Sequence, residues 1–141
     1  MESTYMSPSV LNLKPEDIDT TEKREKYVVS IVGCEHVGVL CACLFAEAGF
    51  KVTCIDSDPT AVNSLNKGKA PLMNQEVESR LKALVKTGHL RATTDIKNVV
   101  SQSDVIVITT SAKIDEKKKV SYSGIESACK QVGASLRRGS L

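Results

Sequence analysis

The run Tyr27-Val28-Val29-Ser30-Ile31-Val32, closed by Gly33, constrains the fold more than any other feature of this sequence. Its β-branched, almost unbroken apolar character suits a strand buried on both faces, as in a parallel sheet with helices above and below. Apolar residues then fall at Val37, Leu40, Cys41, Leu44, Phe45 and Ala48, offsets that line one face of an α-helix, and Gly49 offers its C-terminal stop. Val52-Thr53-Cys54-Ile55 reads as a second strand ending at Asp56. Asp58 then caps a helix with Pro59 in its first turn and Val62 and Leu65 facing inward.

The same alternation continues down the chain. A loop from Asn66 to Met73 leads to a helix capped by Asn74, with Val77, Leu81, Leu84 and Val85 on one face and Gly88 as terminator. Leu90 to Thr94 predicts a short strand, Asp95 caps a brief helix through Val100, and Val105 to Thr109 is a second strongly apolar strand. A polar loop spans Ser111 to Val120, and a last helix carries Ile125, Ala128, Cys129, Val132 and Leu136. Gly139-Ser140-Leu141 reads as the entry to a truncated fifth strand. Strands alternating with helices define an α/β, doubly wound parallel sheet, Rossmann-like in type. With 141 residues there is room for one such domain, placed at 27–141. Residues 1–26 hold six acids, four bases and two prolines with few large apolar side chains, and are expected to form a disordered or weakly ordered tail in which Pro15 to Lys26 can form a short exposed helix.

Composition removes several function classes. Nineteen Lys and Arg against 17 Asp and Glu give a net charge of only +2, and five aromatic residues offer little base stacking, so nucleic acid is not an expected partner. The longest apolar run, Val37 to Ala46, is about half of what a bilayer span requires, and no membrane helix is expected. The N-terminus lacks the basic-then-apolar order of a signal peptide, which makes the expected compartment cytoplasmic. Five cysteines, with no C-x-x-C pair, predict reduced and mostly buried thiols rather than zinc or disulfides.

In a doubly wound sheet, ligands bind at the carboxyl ends of the strands where the strand order reverses, so the turn after the first strand is the expected centre of function. That turn is Gly33-Cys34-Glu35-His36-Val37-Gly38. A dinucleotide fingerprint places glycine at the first, third and sixth positions: for the tight turn, for close approach of backbone to pyrophosphate, and for helix–strand packing. Gly33 and Gly38 match, and Glu35 does not. Asp56, 23 residues after Gly33 at the end of the second strand, is placed to accept hydrogen bonds from both ribose hydroxyls of an adenosine, which favours NAD over its 2′-phosphorylated form. The nicotinamide end is expected beyond the fourth strand, near Thr109 and Thr110. His36 and His89 lack partners for acid–base work, and Lys117 to Lys119 read as solvated surface.

Several stretches resemble the N-terminal NAD-binding domain of the UDP-glucose/GDP-mannose dehydrogenase family, which includes UDP-N-acetylmannosamine dehydrogenases. They are Leu44 to Gly49, Val52 to Asp56, Leu65 to Gly68, Gly88 to Asp95, Ser103 to Thr109 and Ser121 to Ser127, in the family's order and spacing from about Tyr27 to Leu141. The resemblance implies an enzyme family that oxidises the C6 alcohol of a nucleotide sugar to a carboxylate while reducing two NAD in turn. It also implies that the nucleophilic cysteine, its assisting lysine and the sugar site belong to a longer parent protein, so this chain alone is expected to be inactive.

Three ligand-facing places depart from the family's pattern: Glu35 stands for a glycine, Asn74-Gln75 for a Glu-Pro pair, and Ser111-Ala112-Lys113 for Pro-Thr-Pro. A Glu35 carboxylate about 5 Å from one phosphate charge would cost roughly 1 to 3 kcal/mol at effective dielectrics of about 80 to 20. Its side chain is alternatively expected to fold onto the free amides of the following helix and plug the pyrophosphate position, or to point to solvent. Two further readings stand beside NAD binding: a degenerate Rossmann module serving interaction or regulation, and an S-adenosylmethionine site. The incomplete fifth strand predicts an exposed sheet edge and hence self-association into a homo-oligomer.

Overall fold

A computed structural model describes residues 9–70 and 72–141. Residues 1–8 of the expected tail lie outside the described residues. Residues 9–26 run through two 3-10 turns, Val10–Asn12 and Pro15–Asp17, into helix α1 (Thr21–Arg24), capped by the Thr20 side chain. Apolar burial does not hold this stretch. Arg24 donates to the carbonyls of Ile18 at 2.7 Å and Ala48 at 3.0 Å, and the Ser9 hydroxyl donates to the Gly139 carbonyl at 3.2 Å.

The domain then alternates as β1 (Val28–Val32), α2 (His36–Glu47), β2 (Lys51–Ile55), α3 (Pro59–Asn66), α4 (Gln75–Thr87), β3 (Leu90–Thr93), α5 (Ile96–Ser101) and β4 (Val105–Ile108). Four parallel strands form one sheet in the order β3-β2-β1-β4, so the direction of progression reverses between β1 and β4. The expected caps are in place: Asp58 accepts from Thr60 N–H, Asn74 from Val77 N–H and Asp95 from Asn98 N–H, while Gly88 ends α4 in the left-handed conformation. At the β3 edge the Asn66 side-chain amide imitates a strand, donating to the Ala92 carbonyl at 2.9 Å and accepting from its N–H at 2.8 Å. Beyond β4, the backbone of Leu141 makes the paired bonds of a parallel bridge, its N–H to Asp104 O and its carbonyl to Ile106 N–H. The sheet itself has four strands, and Leu141 is bonded beside β4, where the sequence predicts the entry to a further one.

Two elements differ from expectation. Helix α2 buries Gly38, Val39, Ala42, Cys43 and Ala46, and leaves Val37 (61% exposed), Leu40 and Leu44 on the outside. Only Cys41 and Phe45 of the expected face pack on the core. The small residues face inward because the helix sits too close to the sheet for leucines to fit between them. The segment expected as a polar loop contains a short antiparallel hairpin, β5 (Lys113–Ile114) and β6 (Val120–Ser121), followed by helix α6 (Ser123–Ser135). One Asp115 oxygen accepts from both Lys117 and Lys119 N–H, and Lys118 takes a φ of 60°, which turns the chain back without any apolar alternation.

The sheet has a core on each face. Ile31, Val29, Cys54, Leu81 and Leu90 centre one with α2, α3 and α4, and Val32, Ile55, Val100, Ala128 and Val132 form the other with α5 and α6. The five cysteines are free thiols. Burial pushes Cys43 up to about 11, and the Cys54 side chain, then burial, raise Cys34 still further. The thiolate is the reactive form, so at pH 8 exposed Cys129 is expected to alkylate fast, half-buried Cys41 more slowly, and Cys34, Cys43 and Cys54 only as the chain unfolds. Peptide mapping of an iodoacetamide time course checks this, and fast labelling of Cys34 or Cys43 in the folded chain would contradict it. Among the described residues no helix is long and apolar enough to cross a membrane.

Candidate cofactor site

A cleft of about 290 Å³ opens at the carboxyl ends of β1, β2 and β4, over the point where the strand order reverses. This is the position at which open α/β sheets hold ligands, and its volume lies near the lower end of the roughly 300–1,000 Å³ usual for small-molecule pockets. Gly33, Glu35, Asp56, Thr109 and Thr110 all line it, so five of the six residues singled out in the sequence converge.

Gly38 is the exception, buried beneath the turn. A Cβ there would lie 1.8 Å from the Gly33 carbonyl oxygen and 2.8 Å from Thr109 Oγ1, so its missing side chain is what lets α2 meet the end of β1. Gly33 itself has a φ of 108°, a conformation that L side chains rarely adopt, and an added Cβ would meet Thr110 N at 2.9 Å. The two glycines therefore shape the turn as the fingerprint requires, one by backbone freedom and one by close packing.

Asp56 is partly buried and its carboxylate is fixed by the backbone: Cys34 N–H donates to one oxygen at 3.0 Å and Asp58 N–H to the other at 3.0 Å. Each oxygen keeps a lone pair for a further donor. The acid after β2 is thereby tied to the glycine turn and presented to the cleft, a donor-accepting pair matched to vicinal hydroxyls. Thr109 donates its hydroxyl to Gly33 O at 2.9 Å, and Thr110 to Val32 O at 3.3 Å. Both hydroxyl protons brace the turn rather than reach for a ligand.

Glu35 begins α2 without capping it: its side chain makes no hydrogen bond to the helix amides. The plug expected on those amides is therefore absent. Capping favours short side chains, and the longer glutamate reaches across the cleft, where Oε2 accepts from the Ser111 hydroxyl at 2.9 Å. Ser57, Thr94, Ser123 and Gln131, not singled out in the sequence, also line the cleft, together with Ser111 and Lys113 of the segment that departs from the family's pattern. Thr94, directly after β3, could have been found from the strand-end rule. His36 lies outside, with Nε2 3.1 Å from the Leu72 carbonyl oxygen, and His89 bridges Thr87 and Glu25. Among the described residues no group of three His, Cys, Asp or Glu could hold a metal ion.

Parallel strands, a positive-φ glycine turn and a fixed acid after the second strand define a dinucleotide-binding α/β domain. The NAD-binding domain of the UDP-glucose/GDP-mannose dehydrogenase family matches residues 27–141, and the chain belongs to this family. It is 31% identical over 112 residues to GDP-mannose 6-dehydrogenase of Pseudomonas aeruginosa, covering 79% of this chain and 26% of that protein. UDP-glucose 6-dehydrogenase of Rhizobium meliloti is 30% identical over 112 residues, with 77% and 25% covered. Among solved structures, a ternary complex of GDP-mannose dehydrogenase from Pseudomonas aeruginosa superposes with a TM-score of 0.72 at 31% identity, over 78% of this chain and 25% of that one. UDP-glucose dehydrogenase from Pyrobaculum islandicum gives 0.69 at 25% identity, over 80% and 25%. The chain thus spans about a quarter of the length of these relatives.

Proposed function

We propose that this chain holds NAD in the cleft above β1, β2 and β4, as the cofactor-binding part of a cytoplasmic nucleotide-sugar 6-dehydrogenase. The observation that supports it most is the Asp56 carboxylate, oriented by Cys34 and Asp58 N–H groups beside the Gly33 turn. Asp56 would take the adenosine ribose hydroxyls, the Gly33 to Gly38 turn would face the diphosphate, and Thr109 and Thr110 would hold that turn in shape at the nicotinamide end. NAD, when bound, supplies the hydride acceptor for alcohol oxidation. Sugar recognition and turnover belong, on this reading, to the longer protein.

Glu35 sets the affinity. Its carboxylate stands at the mouth of the site, tied to Ser111, and must be displaced or tolerated next to two phosphate charges. Calorimetric titration is expected to show NAD binding to the 141-residue chain, and a Glu35→Gly variant binding tenfold to a thousandfold more tightly, at about 1.4 kcal/mol per decade. Asp56→Ala should lose most of the affinity. Thermal shifts with NADP or S-adenosylmethionine should be smaller than with NAD. Equal, tight NAD affinities in both proteins would remove the role of Glu35, and no response to NAD in either would remove the cofactor assignment.

A further inference from the structure

The charged residues lining the cleft are Glu35, Asp56 and Lys113, so among the described residues a single cation faces two carboxylates. Lys113 is placed by the hairpin that sequence reasoning missed. Lys113 opens β5 and lines the cleft together with Ser121, its register partner across the hairpin, while Ser111, two residues earlier, donates its hydroxyl to Glu35 at the cleft mouth. The inward face of the hairpin is therefore the side on which Lys113 stands.

Its charge is uncommitted. Among the described residues the ammonium of Lys113 makes no ion pair. Asp115, the nearest acid in the chain, is engaged by the Lys117 and Lys119 N–H groups. A site that must receive a diphosphate while carrying Glu35 at its entrance needs a positive charge, and a long, flexible ammonium acts as a point charge for phosphate without demanding one geometry. We propose that Lys113 is a ligand-binding residue of this cleft, pairing with the diphosphate of the dinucleotide and offsetting Glu35. The proposal rests on the NAD reading given above.

The test is titration of the 141-residue chain and its Lys113→Gln and Lys113→Arg variants with NAD, ADP-ribose and adenosine, at low and moderate salt. Lys113→Gln should bind NAD and ADP-ribose about tenfold more weakly, or about 1.4 kcal/mol, with a shallower salt dependence. Adenosine affinity and the ligand-free unfolding midpoint should not change, and arginine should restore most of the loss. If the unaltered chain binds NAD and Lys113→Gln binds it equally well, the role of Lys113 falls while the cofactor reading stands. Equal weakening of adenosine would also overturn it, by showing a structural effect. If the unaltered chain binds none of the three ligands, the cofactor reading itself fails and takes this proposal with it.

Discussion

Gly38→Ala is expected to destabilise the chain by about 3 kcal/mol or more and to abolish NAD binding, whereas Gly133→Ala, an identical change in another helix, should stabilise it by roughly 0.5 to 1 kcal/mol. Both glycines lie inside helices, α2 and α6, where alanine is the better helix former. Propensity therefore favours both substitutions, and only tertiary contact separates them. A Cβ at Gly133 meets nothing within 4 Å, while one at Gly38 lies 1.8 Å from the Gly33 carbonyl oxygen and 2.9 Å from its carbon. Those are backbone atoms of the turn, so no side-chain rotation relieves the overlap. The first turn of α2 must lift from β1, which pulls Gly33 away from the Thr109 hydroxyl and Cys34 N–H away from Asp56. Denaturant unfolding of the two variants, with NAD titration of whatever remains folded, gives the comparison. A Gly38→Ala chain as stable as the parent would refute the close-packing account of the turn.

The same contact explains what the sequence did and did not disclose. The strands β1, β2 and β4 and the caps at Asp58, Asn74 and Asp95 are local properties, written in β-branched runs and in single polar residues at helix starts. The phase of α2 is not local. That helix is apolar almost all round, so periodicity alone offers several inward faces, and the Gly33–Gly38 approach, made across the strand–helix junction, selects the one with small residues. Val37, Leu40 and Leu44 are left outside as a result.

Legibility of the site divides along the same line. Gly33 and Asp56 stand at fixed offsets from recognisable strands, and both line the cleft. The partner of Glu35 is Ser111, 76 residues away on a loop with no regular pattern, and no spacing rule links them. The hairpin that carries Lys113 is not legible, because its two-residue strands are held by Asp115 and a positive φ at Lys118 rather than by alternating side chains. The contacts of residues 9–26 are not legible for a related reason: Arg24 reaches two backbone carbonyls, one of them 24 residues away, which composition does not record.

Arg137→Ala is expected to cost about 3 kcal/mol, an outcome that an exposed-surface reading of arginine would not anticipate. Asp104 is 2% exposed, and its carboxylate links three parts of the fold. One oxygen accepts from Val28 N–H at 2.8 Å at the start of β1, and the other from the Arg137 guanidinium beyond α6. The backbone of the same residue also bonds to Val28 and Leu141, and the Ser140 hydroxyl donates to the carbonyl of neighbouring Ser103 at 2.9 Å. Removing the arginine leaves a buried carboxylate with one neutral donor. Breaking a buried pair in this way typically costs about 3–5 kcal/mol, taken here at the lower end because Arg137 remains partly open to water. Adding Asp104→Asn to Arg137→Ala removes the stranded charge and should recover part of the loss, so the two changes will not be additive. Hydrogen exchange separates a local from a global effect: the Ile106 and Leu141 amides, which bond across the β4 edge, should lose protection first, ahead of Val29 and Ile31 in the centre of the sheet. Additive free energies in the double-mutant cycle, or unaltered exchange at Ile106, would show that Arg137 does not anchor the C-terminal segment to β4.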